Sequence, residues 1–222
     1  MSNIKLKKIT ESISQLTNRN VQVIAVTKHR AVEEIREVIL SGAQVVGENR
    51  VEEAFEKFIS LGLKNEFPEV SLHMIGHLQT RKVKKAVQIF DCIQSLDSLK
   101  LARKINSACG DIGKVMDVFI ETNISGEKQK YGVGIEAVEE TVEEIIKLPN
   151  ICLRGLMTMA PFTHDKKILR KTFGGLRNLS EKLSNKFGEE YFQILSMGMS
   201  NDYKVAIEEG ANMVRIGTAI FV

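Results

Sequence analysis

Tryptophan is absent from this 222-residue chain, and only three prolines and three cysteines occur. Cys92, Cys109 and Cys152 form neither a CxxC pair nor an even set. That pattern supplies no disulfide framework and no metal-ligand cluster, and it points to buried, reduced thiols in a cytoplasmic protein. No signal-like n-region opens the chain, and no apolar run approaches the length of a membrane span. The net charge of +3 is small for this length, so it implies no global attraction to nucleic acid or membrane. The local exception, Arg81-Lys82-Val83-Lys84-Lys85, reads as the solvated face of a helix start or as a docking patch. Pro68, Pro149 and Pro161 mark no linker, and no low-complexity segment divides the chain. One domain over residues 1–222 is expected, with ample apolar content for a core.

What is present is a regular alternation of periods. A helical segment over residues 2–18 precedes short β-branched runs at Val21–Thr27, Ala43–Val46, Ser71–Ile75, Ile89–Ser95, Val115–Asn123, Ile151–Met159, Tyr191–Met197 and Met213–Phe221. Amphipathic stretches such as Glu33–Leu40 and Val138–Ile146 separate most neighbours. Near-continuous apolar strands alternating with helices predict a parallel sheet buried on both faces. Eight such units favour a closed (β/α)8 TIM-type barrel over an open doubly wound sheet. The last run reaches the end of the sequence, so the additional N-terminal helix is expected to cover that part of the wall.

In such a barrel, chemistry gathers at the C-terminal strand ends, and phosphate binds after the last two strands. Lys28 closes the first run. An amine there is either a desolvated nucleophile with a depressed pKa, able to form a Schiff base, or a lysine that snorkels to solvent. Ser196-Met197-Gly198-Met199-Ser200 and Arg215-Ile216-Gly217-Thr218 end the last two runs. Their glycines permit close backbone approach, and Ser200 and Thr218 add hydroxyls, which together suit an anion site. Ser200 also reads as an ordinary N-cap of the following helix. Arg215, inside an apolar run, lines a site or makes a structural ion pair. Barrel closure brings the last strand beside the first. An imine-forming amine, an arginine and a phosphate cradle around one pocket point to pyridoxal 5′-phosphate (PLP).

The segments Ala25-Val26-Thr27-Lys28, Gly47-Glu48-Asn49, His73–Gln79, Gly155–Met159, Leu195–Ser200 and Val214–Phe221 resemble the PLP homeostasis protein family, whose barrel is similar to the N-terminal domain of alanine racemase. The resemblance runs over essentially the whole chain. It implies that Lys28 carries PLP as an internal aldimine, and that Ser200, Gly217 and Thr218, with backbone from Met199, hold the phosphate. It also implies that Arg215 faces the pyridine nitrogen and that Asn49 lies on the 3-hydroxyl side, with His77 and Met157 in the pocket wall. Arg81 departs from the family, which often has Asn there, and the usual extension beyond Ile220-Phe221 is missing.

By this resemblance the chain is a PLP-binding protein that contributes to intracellular PLP and amino-acid homeostasis, with no robust catalytic activity expected. PLP is the cofactor, PLP-dependent apoenzymes are the implied partners, and a monomer is favoured. An amino-acid racemase is the alternative. It needs a second acid/base group, and Tyr131, Tyr191 and Tyr203 do not follow the racemase pattern. His164 reads as an exposed loop residue. A PLP-independent Schiff-base aldolase on the same barrel also stays open.

Overall fold

The computed structural model describes residues 2–127, 129 and 131–221. Nine parallel strands run in chain order: β1 (Gln22–Val26), β2 (Val45–Glu48), β3 (Ser71–Met74), β4 (Cys92–Leu96), β5 (Met116–Asn123), β6 (Val133–Gly134), β7 (Ile151–Met157), β8 (Ile194–Met199) and β9 (Met213–Ile216). Eight of them close into a barrel, in the order β4-β3-β2-β1-β9-β8-β7-β5, with β4 pairing back onto β5. The two-residue β6 pairs only with Thr122 and Asn123, as a spur on the end of β5. This is the expected (β/α)8 architecture. Register sets the neighbours that matter later: Ile24 lies opposite Arg215 of β9, and Val26 lies opposite Gly47 of β2.

Local signals explain the surrounding helices. Val32–Leu40 buries Ile35, Val38 and Ile39, spaced i, i+3, i+4, and its Glu34 carboxylate accepts the Ala31 amide at 2.9 Å. Leu99–Gly110 starts at Ser98, whose hydroxyl accepts the Leu101 amide at 3.3 Å. The N-terminal helix Ser2–Leu16 packs against Val32–Leu40, Tyr203–Glu208 and Thr218–Phe221, closing the wall outside β1 and β9 as expected.

Strand ends differ from the expected ones. β2 begins and ends two residues later, so Glu48 is a strand residue and Asn49 sits at its tip. Ile89 closes a helix, and Tyr191 belongs to a 3-10 turn. The largest correction is at the end of the chain. β9 stops at Ile216, and Thr218–Phe221 forms a short helix where continued strand was expected. The apolar run cannot separate the two, because Ile220 is buried from a helical turn as fully as it would be from a strand.

Inside the barrel the side chains form layers. Ile24, Val45, Cys92, Phe119, Met157 and Met213 form an apolar plug distinct from the core beneath the helices. Each such fully buried side chain contributes about 1.5–3 kcal/mol. Two residues further along their strands stand Gln94, Glu121 and Arg215. Strand alternation keeps these on the same inner face, one layer nearer the C-terminal mouth. The plug is apolar; the layer above it is polar.

Candidate cofactor site at the barrel mouth

Lys28 lies two residues beyond the end of β1 and is exposed. Of the two readings of that amine, its exposure fits the one that reaches solvent: the strand leaves the core at Thr27, which is fully buried, and Lys28 follows it to the C-terminal end of the barrel. The turn after it is tight. His29 has φ of 59°, the one non-glycine residue in the left-handed region among the described residues.

Across the mouth, Ser200 Oγ accepts from the backbone amides of Gly217 at 3.2 Å and Ala219 at 3.3 Å. Two N–H groups at the start of the last helical turn thus converge on one oxygen position. Ser200 is not the cap of the following helix. That position belongs to Asp202, whose carboxylate accepts the Met199 amide at 2.5 Å and so occupies a donor assigned to phosphate. Thr218 is exposed beside Ser200's acceptor site. Gly198 is what lets β8 reach this loop. Its φ is +93°, and a Cβ there would stand 2.6 Å from the Ala206 Cβ.

Arg215 makes no ion pair among the described residues and instead heads a directed chain of neutral acceptors. Its NH1 donates to Ser196 Oγ at 2.7 Å, and its NH2 donates to the Thr158 carbonyl at 2.9 Å. Ser196 Oγ donates in turn to Gln94 Oε1 at 2.7 Å, and Gln94 Nε2 lies 2.7 Å from His73 Nδ1. That amide donor requires Nδ1 to be the acceptor. The neutral ring therefore carries its proton on Nε2, 3.0 Å from Ser71 Oγ. Burial lowers the His73 pKa to about 4, which agrees with a neutral ring. Burial also lowers the Arg215 pKa to about 10. Facing Arg215, the buried Glu121 carboxyl is raised to about 7, mainly by desolvation.

Asn49 closes the third side. Its Oδ1 is buried with no hydrogen-bond partner, an acceptor that the protein itself leaves unused. Gly76 packs directly over it, since a Cβ there would lie 2.5 Å from the Asn49 carbonyl oxygen. His77 Nδ1 lies 3.0 Å from Asp97, and its ring stacks on Tyr131 at 4.0 Å between centroids. Asn49, His77 and Tyr131 line one cavity of about 450 Å³. Met157 sits below, in the apolar plug.

A family model described as alanine racemase, N-terminal domain, matches residues 4–222. The pyridoxal phosphate homeostasis protein of Aquifex aeolicus is 37% identical, across 98% of this chain and 96% of its own length. The human protein of that name is 35% identical across 97% and 84%. The chain belongs to the pyridoxal phosphate homeostasis protein family. Among solved structures, this homeostasis-family barrel is similar to PipY of Synechococcus elongatus, determined without PLP (TM-score 0.92, 30% identity, all of both chains). It is also similar to PipY with PLP bound (TM-score 0.88, 29% identity, all of both chains). Alanine racemase of Clostridium difficile shares the fold, with a TM-score of 0.79 at 19% identity over 97% of this chain and 56% of the racemase.

Several residues of the homeostasis-family mouth were not anticipated: Ser196, Gln94 and His73 behind Arg215, and Glu121 facing it. Glu121 had a signal, a carboxylate inside the apolar run Val118-Phe119-Ile120. His73 and Gln94 also interrupt apolar runs, and Ser196 opens the motif that ends β8, but nothing in the sequence paired them, because their contacts span 19 to 102 residues.

Proposed function

We propose that this chain, as a single domain over residues 1–222, binds PLP at the barrel mouth through Lys28 and acts as a carrier of it. The observation that carries the reading is the convergence of the Gly217 and Ala219 amides on the Ser200 oxygen, at the strand ends where barrels of this class bind phosphate. Ser200, Gly217 and Thr218 would hold the phosphate. Asn49 Oδ1, buried and unpartnered, suits a donor on the ring or its 3-hydroxyl. Arg215, held by neutral acceptors, presents a cation to the pyridine nitrogen and disfavours its protonation.

PLP when bound supplies an aldehyde that condenses with amines and a ring that withdraws electrons. An arginine at the ring nitrogen weakens that withdrawal, which fits storage and delivery better than turnover. Of the three tyrosines, Tyr131 stands in the mouth cavity, stacked on His77, so a test of α-proton exchange bears on it; Tyr203 is buried, with its hydroxyl 3.4 Å from Ser12 Oγ on the N-terminal helix. Tyr191 lies in the 3-10 turn before β8, away from the mouth. PLP-dependent apoenzymes are the recipients this role implies, in the cytoplasm, with the carrier as a monomer. No helix among the described residues is long and apolar enough to cross a membrane.

The test is the visible absorption of purified protein supplied with PLP, before and after borohydride, for wild type and Lys28→Ala. Wild type is expected to take up PLP and to be fixed irreversibly on reduction, whereas Lys28→Ala is not. A wild type that takes up no PLP overturns the reading. Exchange of the α-proton of L-alanine in D2O, with formation of the D form, would make the protein a racemase instead.

A further inference from the structure

Lys57 is a buried cation in the layer between the barrel and its helices, 7% exposed, where a charge is costly. It stands in a π-helical turn, Glu56–Ser60, that continues the helix Val51–Phe55 beyond β2. Such wide turns displace a side chain from the regular helical position and recur at functional sites. The Lys57 ammonium has three protons and makes three hydrogen bonds: to the Thr27 carbonyl at 2.8 Å, Glu48 Oε1 at 2.9 Å and Glu53 Oε1 at 2.7 Å. Glu53 Oε1 also accepts the His29 amide at 2.5 Å, and Glu48 Oε1 also accepts the Thr27 hydroxyl at 2.7 Å.

The backbone on both sides of Lys28 is therefore tied to one cluster. The carbonyl before it is held by Lys57, and the amide after it is held by the carboxylate that Lys57 pairs with. Immediately after the second tie, His29 adopts its left-handed conformation, a strained state that persists only where the surrounding structure holds it. A buried ion pair is by itself weak evidence of a stabilising role, and this one brackets the residue at the mouth.

We propose that Lys57, with Glu53, is a positioning residue that sets the turn at Thr27–His29 and so aims Lys28 into the mouth. The proposal rests on Lys28 as the PLP-binding residue, and its test has a part that does not. In ligand-free protein, amide hydrogen exchange at His29 is expected to rise at least tenfold in Lys57→Met and in Glu53→Leu. PLP uptake, followed by absorption, is expected to slow at least tenfold in both variants, with the melting transition retained. Glu53→Gln keeps an oxygen for the His29 amide and for Lys57, and it is expected to recover most of what Glu53→Leu loses. A folded Lys57→Met with wild-type exchange and uptake overturns the proposal. Should Lys57→Met not fold, the Glu53 pair decides: equal behaviour of the Leu and Gln variants overturns it. If wild type takes up no PLP, the PLP reading fails, and exchange at His29 still decides the clamp.

Discussion

Arg215 NH1 lies 2.7 Å from Ser196 Oγ, and the same hydroxyl lies 2.7 Å from Gln94 Oε1, so one small side chain joins β9 to β4 across the barrel interior. The serine accepts from the cation and donates to the amide, which fixes the direction of the chain as far as His73. Ser196→Ala would leave a buried guanidinium donor and a buried amide oxygen unpaired. A loss of about 2–4 kcal/mol is expected, measured as a lower urea midpoint with an unchanged slope. A loss below about 0.5 kcal/mol would mean that the interior chain contributes nothing to stability.

Glu121 and His73 oppose each other in their response to pH. Burial raises Glu121 from 4.5 to about 7, so the folded protein binds that proton more tightly. Its contribution is full below pH 4.5 and is lost as pH rises through about 7. Burial lowers His73 from 6.5 to about 4, so its contribution is full above pH 6.5 and is lost as pH falls through about 4. Each is bounded at about 3 kcal/mol, and the two slopes cancel where the windows overlap. Glu121→Gln removes one of them. Unfolding titrated from pH 4.5 to 6.5 should then show stability rising with pH more steeply than in wild type. Superimposable profiles would return Glu121 to the ordinary carboxylate range.

Lys28 is exposed, and the ties that shape its turn use the backbone of Thr27 and His29. Lys28→Ala should accordingly change ligand-free stability by less than about 0.5 kcal/mol while abolishing covalent PLP uptake. Thermal melts of the two proteins without PLP provide the check. A large change in melting temperature would show that the lysine side chain packs into the fold.

Much of this molecule was legible from periodicity. Eight apolar runs separated by amphipathic stretches give closure of the barrel, because fully buried parallel strands and one-sided helices each leave a distinct pattern. Lys28, Ser200, Arg215 and Gly217 were legible for a related reason: each breaks an apolar run at a strand end, where barrel geometry gathers chemistry. Strand ends were less legible. An apolar residue is buried equally well from the last turn of a strand or the first turn of a helix, and Ile89 and Ile220 were both assigned to the wrong one.

The sequence by itself therefore determined the barrel, its direction and some of the residues that come to its mouth. Tertiary structure decided their state. Lys28 is in solvent and not desolvated, Arg215 rests on neutral oxygens and not on a carboxylate, and Ser200 gathers backbone amides from beyond β9 and does not cap the helix that follows it. The same holds for Lys57, an unremarked residue of an amphipathic helix until closure of the fold set it against Thr27, 30 residues earlier. Periodicity reports which face a side chain occupies. Partners across the barrel are set by register and closure, which no local pattern encodes.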